Sequence, residues 1–246
     1  MKTFQKSTWM PLIIALIITL PIIGFYVIQN FTSQENPDYG ISESETVPDY
    51  TNDLNEIDPT DIVKVDPTTT ISGELSAKEI EDLRFMREEE KLAKDIYLSL
   101  YETTNIQAFA NIAKSEQSHT NAIKQLLTQY GISDPVSTEE IGVFENTDLQ
   151  KLYNDLLAQG KKSDIDALKV GALIEDLDIT DLEKAKSQTT NENILLVYNN
   201  LQRGSRNHLR SFYSLIQRRG GTYTPTYMSI DDFEATIKGA HESGKS

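Results

Sequence analysis

The chain has no cysteine, which excludes disulfides, thiolate zinc sites, iron–sulfur clusters and a cysteine nucleophile together. Any metal it binds must be held by oxygen and imidazole nitrogen. Imidazoles are scarce as well, with three histidines in 246 residues. Basic residues are outnumbered, 23 Lys and Arg against 38 Asp and Glu for a formal net charge of −15, which argues against a nucleic-acid partner. The acidity is concentrated. Thr32 to Leu75 holds eleven acids and one lysine among Pro, Ser, Thr and Asn and supplies −10 of that charge. It has no sustained apolar periodicity, so residues 31–75 are expected to form a disordered, self-repelling linker.

Long uncharged apolar runs are equally rare, and residues 11–28 carry the one that matters. At about 1.5 Å of rise per helical residue it nearly crosses a hydrocarbon layer of about 30 Å. A transmembrane anchor is expected over 10–30. Lys2 and Lys6 precede it and acids follow, so the positive-inside rule leaves 1–9 in the cytoplasm and the rest outside. The expectation is a single-pass protein of the cell membrane with an extracytoplasmic C-terminal domain. No Ala-x-Ala cleavage site follows the run and no cysteine is available for lipidation, which favours an uncleaved anchor over a signal peptide.

The folded domain is expected over 76–228, with a short helix and tail over 229–246. Its first helix begins at Ser76, where Glu79 completes a capping box, and runs to about Glu102. The inner stripe reads Leu83, Met86, Glu90, Ala93, Tyr97, Leu100, a spacing of three and four that keeps all six on one face. Glu90 interrupts that face. Alternatively, Glu90 belongs to a solvated charged run with Arg87, Glu88, Glu89 and Lys91. Thr103 to Asn105 is a short connection, so the second helix, Ile106 to Tyr130, folds back antiparallel and stops at Gly131. Its stripe, Phe109, Ile112, Glu116, His119, Ile123, Leu126, places Glu116 and His119 where leucines would otherwise stand. A long crossover to Ser163 carries a short helix near Asp148 to Ala158. The third long helix, Asp164 to Lys186, aligns Leu168, Ala172, Glu175, Ile179 and Leu182, with Asp178 three residues beyond Glu175. The fourth carries Ile194, Tyr198, Leu201, Ser205, His208, Phe212 and Leu215 inward and closes at Gly220 and Gly221. The fold class is all-α, a four-helix bundle with a long crossover between its second and third helices.

Each long helix thus carries polar groups on its apolar face. Burying several carboxylates together costs several kcal/mol per uncompensated ion, against a whole-domain stability of about 5 to 15 kcal/mol. Glu90, Glu116, Glu175 and Asp178 would balance two divalent ions, with His119 and His208 as neutral ligands. The competing reading is an inert bundle with a hydrated polar interior. Tyr97 is expected to hydrogen-bond a ligand carboxylate, and Tyr101 and Tyr198 to pack. Arg203, Arg206, Arg210, Arg218 and Arg219 are expected to form a solvated face, and His241 is assigned no role.

The segments Phe-Met-Arg-Glu-Glu-Glu-Lys-Leu-Ala-Lys-Asp-Ile-Tyr (85–97), Asn-Ile-Ala-Lys-Ser-Glu-Gln-Ser-His (111–119), Gly-Ala-Leu-Ile-Glu-Asp-Leu-Asp-Ile (171–179) and Arg-Gly-Ser-Arg-Asn-His-Leu-Arg (203–210) resemble the ferritin-like di-iron superfamily. That superfamily places one Glu on each of two helices and a Glu-x-x-His on each of the others. More narrowly, residues 76 to about 230 look like the ferritin-like domain of unknown function 2202, nearest the rubrerythrin branch. The resemblance implies metal ligands at Glu90, Glu116, His119, Glu175 and His208, with Asp178 at an extra carboxylate position. Ser205 departs from the pattern, standing where a ligand glutamate is usual. Implied with it are one or two iron ions, for which the donor set also admits Mn or Zn, and reaction with oxygen or peroxide. No catalytic side chain is singled out, and homo-oligomerisation stays open. The alternative is a metal-poor helical scaffold or interaction module without catalysis.

Overall fold

Ser76 starts the first helix by reciprocal capping: its Oγ accepts from Glu79 N at 3.2 Å, and Glu79 Oε2 accepts from Ser76 N at 2.8 Å. The helix, α1, spans Ala77–Thr104 and stops at Asn105, whose left-handed φ of 56° turns its N–H back onto Tyr101 O. Helix α2, Gln107–Gln129, ends ahead of Gly131, where a φ of 67° lets Ile132 N reach Leu127 O at 2.8 Å. Side-chain oxygens of Asn146, Ser163, Asn191 and Ser229 cap α3 (Thr147–Gly160), α4 (Asp164–Ser187), α5 (Glu192–Arg218) and α6 (Ile230–Lys238). The computed structural model describes residues 74–243. The expected anchor over 10–30 and nearly all of the linker over 31–75 lie outside the described residues. Among the described residues there are six helices and no strand, and none of these helices is long and apolar enough to cross a membrane.

The short connections pair α1 with α2 and α4 with α5, and the two pairs meet through α1 against α4 and α2 against α5. The crossover runs from the end of α2 through α3, which packs on α1 and α4. Two apolar layers result. At one end Leu83, Met86, Ile123, Leu126, Leu182, Val197, Tyr198 and Leu201 form an aliphatic cluster. At the other, Phe212 lies 5.3 Å, centroid to centroid, from both Tyr97 and Phe109. Each fully buried side chain of this kind adds about 1.5 to 3 kcal/mol. Glu90, Glu116, His119, Glu175, Asp178 and His208 fall between the two layers, because each lies midway along its own helix.

The charged run of α1 is not solvated. Every residue from Met86 to Tyr97 is buried, because the crossover lies along the face of α1 opposite the apolar stripe and brings its own polar groups. Glu88 accepts from Glu145 N at 2.6 Å and from Asn146 N. Lys91 donates to Asp95 at 2.5 Å, Glu140 O at 2.8 Å and Val143 O at 3.3 Å. Arg87 donates to Thr120 and pairs with Asp134 and Glu139. The polar sequence that signals a wet face here marks a partner segment distant in the chain.

Arg218 and Arg219 are exposed as expected, whereas Arg206 and Arg210 face a partner segment instead. Arg210 is buried and donates to Thr236 O at 2.8 Å and to Glu242 at 2.7 Å, while Arg206 also donates to Glu242. These bonds fold the C-terminal tail back onto α5. A second strap, residues 223–228, closes over α4, where Asp176 accepts from Tyr223 Oη at 2.9 Å, Thr226 N at 2.5 Å, Tyr227 N at 3.1 Å and Met228 N at 2.6 Å. Covered by α1, α3, α5 and this strap, α4 is buried without a break from Val170 to Ile179.

Gly171 faces Phe212, and a Cβ there would meet ring atom Cε1 at 2.6 Å. Alanine would favour the helix by about 1 kcal/mol, but the ring is wedged against Tyr97 and Phe109 and cannot retreat. Gly171→Ala is therefore expected to lower stability by about 1 to 3 kcal/mol, read from urea unfolding midpoints.

Burial disfavours the charged form of Glu242, but its bonds to Arg206 and Arg210 outweigh that and hold its pKa at about 2, against an ordinary 4.5. A carboxyl depressed by folding contributes stability that is present above the unfolded value and lost as pH falls through the folded one. The stability difference between the natural chain and Glu242→Gln is expected to be constant above pH 4.5 and to shrink as pH falls toward 2, measured by denaturant titration across that range.

Candidate metal centre

Glu116 occupies the middle of the polar layer and faces both imidazoles. Its Oε2 lies 2.7 Å from His119 Nδ1, and its Oε1 lies 2.7 Å from His208 Nδ1. Glu90 approaches His119 Nδ1 at 3.3 Å from α1, and Glu175 approaches His208 Nδ1 at 3.6 Å from α4. The two rings stand 5.6 Å apart, centroid to centroid. Two triads follow, Glu90–Glu116–His119 and Glu116–Glu175–His208, and in each the three ligand atoms lie within 4.8 Å of one another. All five residues are buried, and both triads use Glu116. Spacing accounts for one pair, since residues three apart share a face and Glu116 presents its carboxylate beside His119 on α2, while packing of α1, α4 and α5 brings in Glu90, Glu175 and His208.

The charges are strongly coupled. Burial opposes ionisation of Glu116, but the imidazoles of His119 and His208 outweigh it and hold the carboxyl far below its usual range. Burial likewise works against protonation of the histidines, yet Glu116 and Glu90 raise His119 well above its ordinary value, and Glu116 and Glu175 raise His208 to about 10. Glu90 is pushed well up, by burial first and by Asp178 second. Glu175 is pushed up by burial although His208 opposes that. Glu116 thus faces an imidazole on each side, and each partner favours the charged form of the other.

The network does not satisfy itself. Glu90 Oε1, Glu116 Oε1, Asp178 Oδ1 and His208 Nδ1 are buried without a hydrogen bond. The short approach of His208 Nδ1 to Glu116 Oε1 is an ion-pair contact lacking hydrogen-bond alignment. Each such atom costs about 1 to 3 kcal/mol, more when charged, and a set of orphaned carboxylate oxygens and an imidazole nitrogen on one volume suits a divalent cation. The buried Glu and His groups can hold a metal ion.

Asp178 stands beside the triads and belongs to neither. Its Oδ2 accepts from the Ser205 hydroxyl, and burial followed by Glu175 raises its pKa to about 8. The serine at the irregular position thus orients the neighbouring carboxylate. Tyr97 donates to Glu175 Oε1 at 2.6 Å, which fixes that carboxylate from the aromatic layer. Tyr198 packs in the aliphatic cluster, and His241 is exposed, remote in sequence from every ligand.

One contributor escapes a reading of the inner stripes, Gly204: a Cβ there would lie 2.6 Å from both Cε1 and Nε2 of His119. The imidazole rests on the backbone of α5, so its Nδ1 is the nitrogen turned toward the carboxylates. A glycine inside a helix, which costs about 1 kcal/mol relative to alanine, is the sequence signal for such a close approach.

The family described as an uncharacterized protein domain, DUF2202, matches residues 79–240. The chain belongs to the DUF2202 family. Among proteins of similar sequence is uncharacterized protein MJ0754 of Methanocaldococcus jannaschii, 52% identical over 170 residues that cover 69% of this chain and 92% of that protein. The crystal structure of hypothetical protein MJ0754 from Methanococcus jannaschii DSM 2661 is similar at a TM-score of 0.69 and 51% identity, covering 70% of this chain and 98% of the other. The DUF2202 match begins within α1 and ends just past α6, so it includes every residue of both triads.

Gly204→Ala is expected to keep the helical circular dichroism while driving the His119 ring from its seat. Zn(II) affinity should fall by about 10- to 100-fold, the range for disturbing a ligand's supporting contacts. Isothermal titration checks this, and an unchanged Zn(II) affinity would show that His119 is free to move.

Proposed function

We propose that this DUF2202 protein is a membrane-anchored, extracytoplasmic ferritin-like protein that holds a dinuclear non-haem iron centre and reacts with oxygen or peroxide. One observation carries the reading: a single buried carboxylate, Glu116, is shared by two triads, each completed by one histidine and one further glutamate. Glu90 and His119 would hold one ion, Glu175 and His208 the other, and Glu116 would lie between them. The four glutamate and aspartate charges of Glu90, Glu116, Glu175 and Asp178 match two divalent ions, which suits Fe(II) and also admits Mn(II) or Zn(II). When bound, iron supplies electrons to a small oxidant, chemistry for which the chain has no cysteine.

The protein's own side chains have narrower tasks. Tyr97 holds Glu175 by its hydroxyl, and Ser205 holds Asp178. The aliphatic and aromatic layers above and below exclude water, which strengthens each electrostatic contact between them. Among the described residues, no group is singled out to recognise an organic substrate. The uncharged run over 11–28 and the acidic segment after it support the anchoring and the extracytoplasmic placement.

A second reading, a metal-poor helical scaffold, is favoured by one specific feature. His119 and His208, raised well above neutral range, already compensate Glu116 as imidazolium ions. Metal analysis of the purified full chain, beside His119→Ala and His208→Ala, separates the two. The metal reading expects about two equivalents of iron in the natural chain, strongly reduced in both variants. It also expects anaerobic Fe(II) to stabilise the natural chain by about 2.7 kcal/mol at one hundred times its dissociation constant. Metal-free protein whose melting temperature Fe(II), Mn(II) and Zn(II) leave unmoved would establish the scaffold instead.

A further inference from the structure

The five triad residues are not equally enclosed. The side chain of Glu90 is 1% exposed and those of Glu116 and Glu175 are 2% exposed, whereas His119 keeps 10% and His208 8%. Nδ1 of each ring faces the buried carboxylates, so the part of each ring that meets water lies on its outer side. From the other two helices the centre is closed. α1 is buried without a break from Met86 to Tyr97 beneath the crossover, and α4 from Val170 to Ile179 beneath α3 and the strap. The neighbours of the two histidines are small. Four residues before them stand Ser115 and Gly204, both partly exposed, and three residues after them stand Ala122 and Ser211. These spacings share the histidine's side of the helix, so each imidazole is flanked by a short side chain or by none. At the equivalent positions of α1 and α4, Met86 is buried and Phe212 fills the space over Gly171. Gly204 lies where both rings approach α5: a Cβ there would be 2.6 Å from Cε1 and Nε2 of His119 and 3.8 Å from Cε1 of His208. The rings keep their exposure with the tail fastened to Asn207 through both the N–H and the carbonyl of Glu242 at 3.0 Å, so the tail does not close this seam.

We infer that the seam between α2 and α5 at Ser115 and Gly204 is the entrance to the centre, admitting divalent cations and neutral molecules of the size of oxygen or peroxide past the outer edges of the two imidazoles. The selection is by size. A wider molecule must displace the His119 ring, which rests on the backbone of α5 and cannot move further that way, whereas a small one needs only a slight turn of a ring with short neighbours. Glu116 lies directly behind both rings, so whatever passes them meets the carboxylate common to the two triads. What passes rests on the metal-centre reading, whereas where it passes is set by exposure, so the two can fail separately.

Because the chain has no cysteine, a single one can be introduced and blocked reversibly in the folded protein. Ser115→Cys in the full chain, labelled with benzyl methanethiosulfonate, places a removable ring at the seam. Val143→Cys, on the exposed part of the crossover whose backbone accepts from Lys91 of α1, carries the same label as the control. Stopped-flow uptake of Co(II), followed by its visible absorption, should slow severalfold in labelled Ser115→Cys, and release into excess chelator should slow by the same factor. The Kd should stay unchanged, because an obstacle at an entrance raises the barrier equally in both directions. Reduction of the label should restore both rates, and labelling Val143→Cys should alter neither. A second measurement needs no metal. Relaxation of the Cε1–H signals of His119 and His208 by dissolved oxygen, which is paramagnetic, should weaken when Ser115→Cys is labelled and hold when Val143→Cys is. Oxygen-induced relaxation indifferent to the label at position 115 would overturn the entrance, as would unaltered Co(II) rates or a changed Kd, which would make Ser115 a support of the site. Weakened relaxation in a chain that takes up no Co(II) would sustain the passage and remove the metal reading.

Discussion

The carboxylate of Glu116, placed out of water between two imidazoles, is the constraint on which the rest of this structure depends. A lone carboxylate in that position would cost more than a domain of this size can spare, so it requires positive partners from two directions. His119 comes from its own helix, three residues on, and His208 comes from α5. Meeting both at 2.7 Å requires α2 and α5 to pack at one fixed height and rotation. Gly204 permits that approach, because any side chain at its position would occupy the space of the His119 ring. The core is thus specified by electrostatics in its middle and by shape at its ends.

The apolar layers and the polar layer support one another. Leu83, Leu126, Leu182 and Val197 on one side, and Tyr97, Phe109 and Phe212 on the other, supply the burial energy that holds four helices together. They also lower the dielectric between them, which makes each contact of Glu90, Glu116 and Glu175 stronger and each unsatisfied oxygen more costly. Where the apolar stripes end, backbone amides take over as partners. Glu88 receives the crossover through Glu145 and Asn146, and Asp176 receives the C-terminal strap through Thr226, Tyr227 and Met228. Carboxylates that accept backbone N–H groups anchor loops, whereas carboxylates left without such donors cluster around the centre. That division separates the structural acids from those available to a cation.

Ser205 acts on the site through a neighbouring acid. Its hydroxyl supplies no charge, but it donates to Asp178 and so directs an acid from α4 into the polar layer. The acids of the polar layer are distributed unequally over the helices, one each from α1 and α2 and two from α4.

The helices themselves were legible in the sequence because capping and periodicity are local: Ser76 with Glu79, Gly131, Ser163 and Asn191 mark ends that the structure places within a residue or two. The inward position of Glu116 and His119 was legible for the same reason, since their spacing sets the shared face before any other helix is considered. The course of the crossover was not, and with it the burial of Arg87, Glu88, Lys91 and Lys94, because a charged run reads alike whether water or another segment of backbone satisfies it. By itself the sequence determined six helical segments, the apolar stripes of the long ones and which polar residues interrupt them, all consequences of hydrogen bonds and side-chain periodicity within a few residues. Only the tertiary structure decided that Glu116 serves both imidazoles and that Asp178 pairs with Ser205 rather than with either triad. Those contacts depend on the relative height and rotation of separate helices, which packing sets and no spacing within one helix encodes.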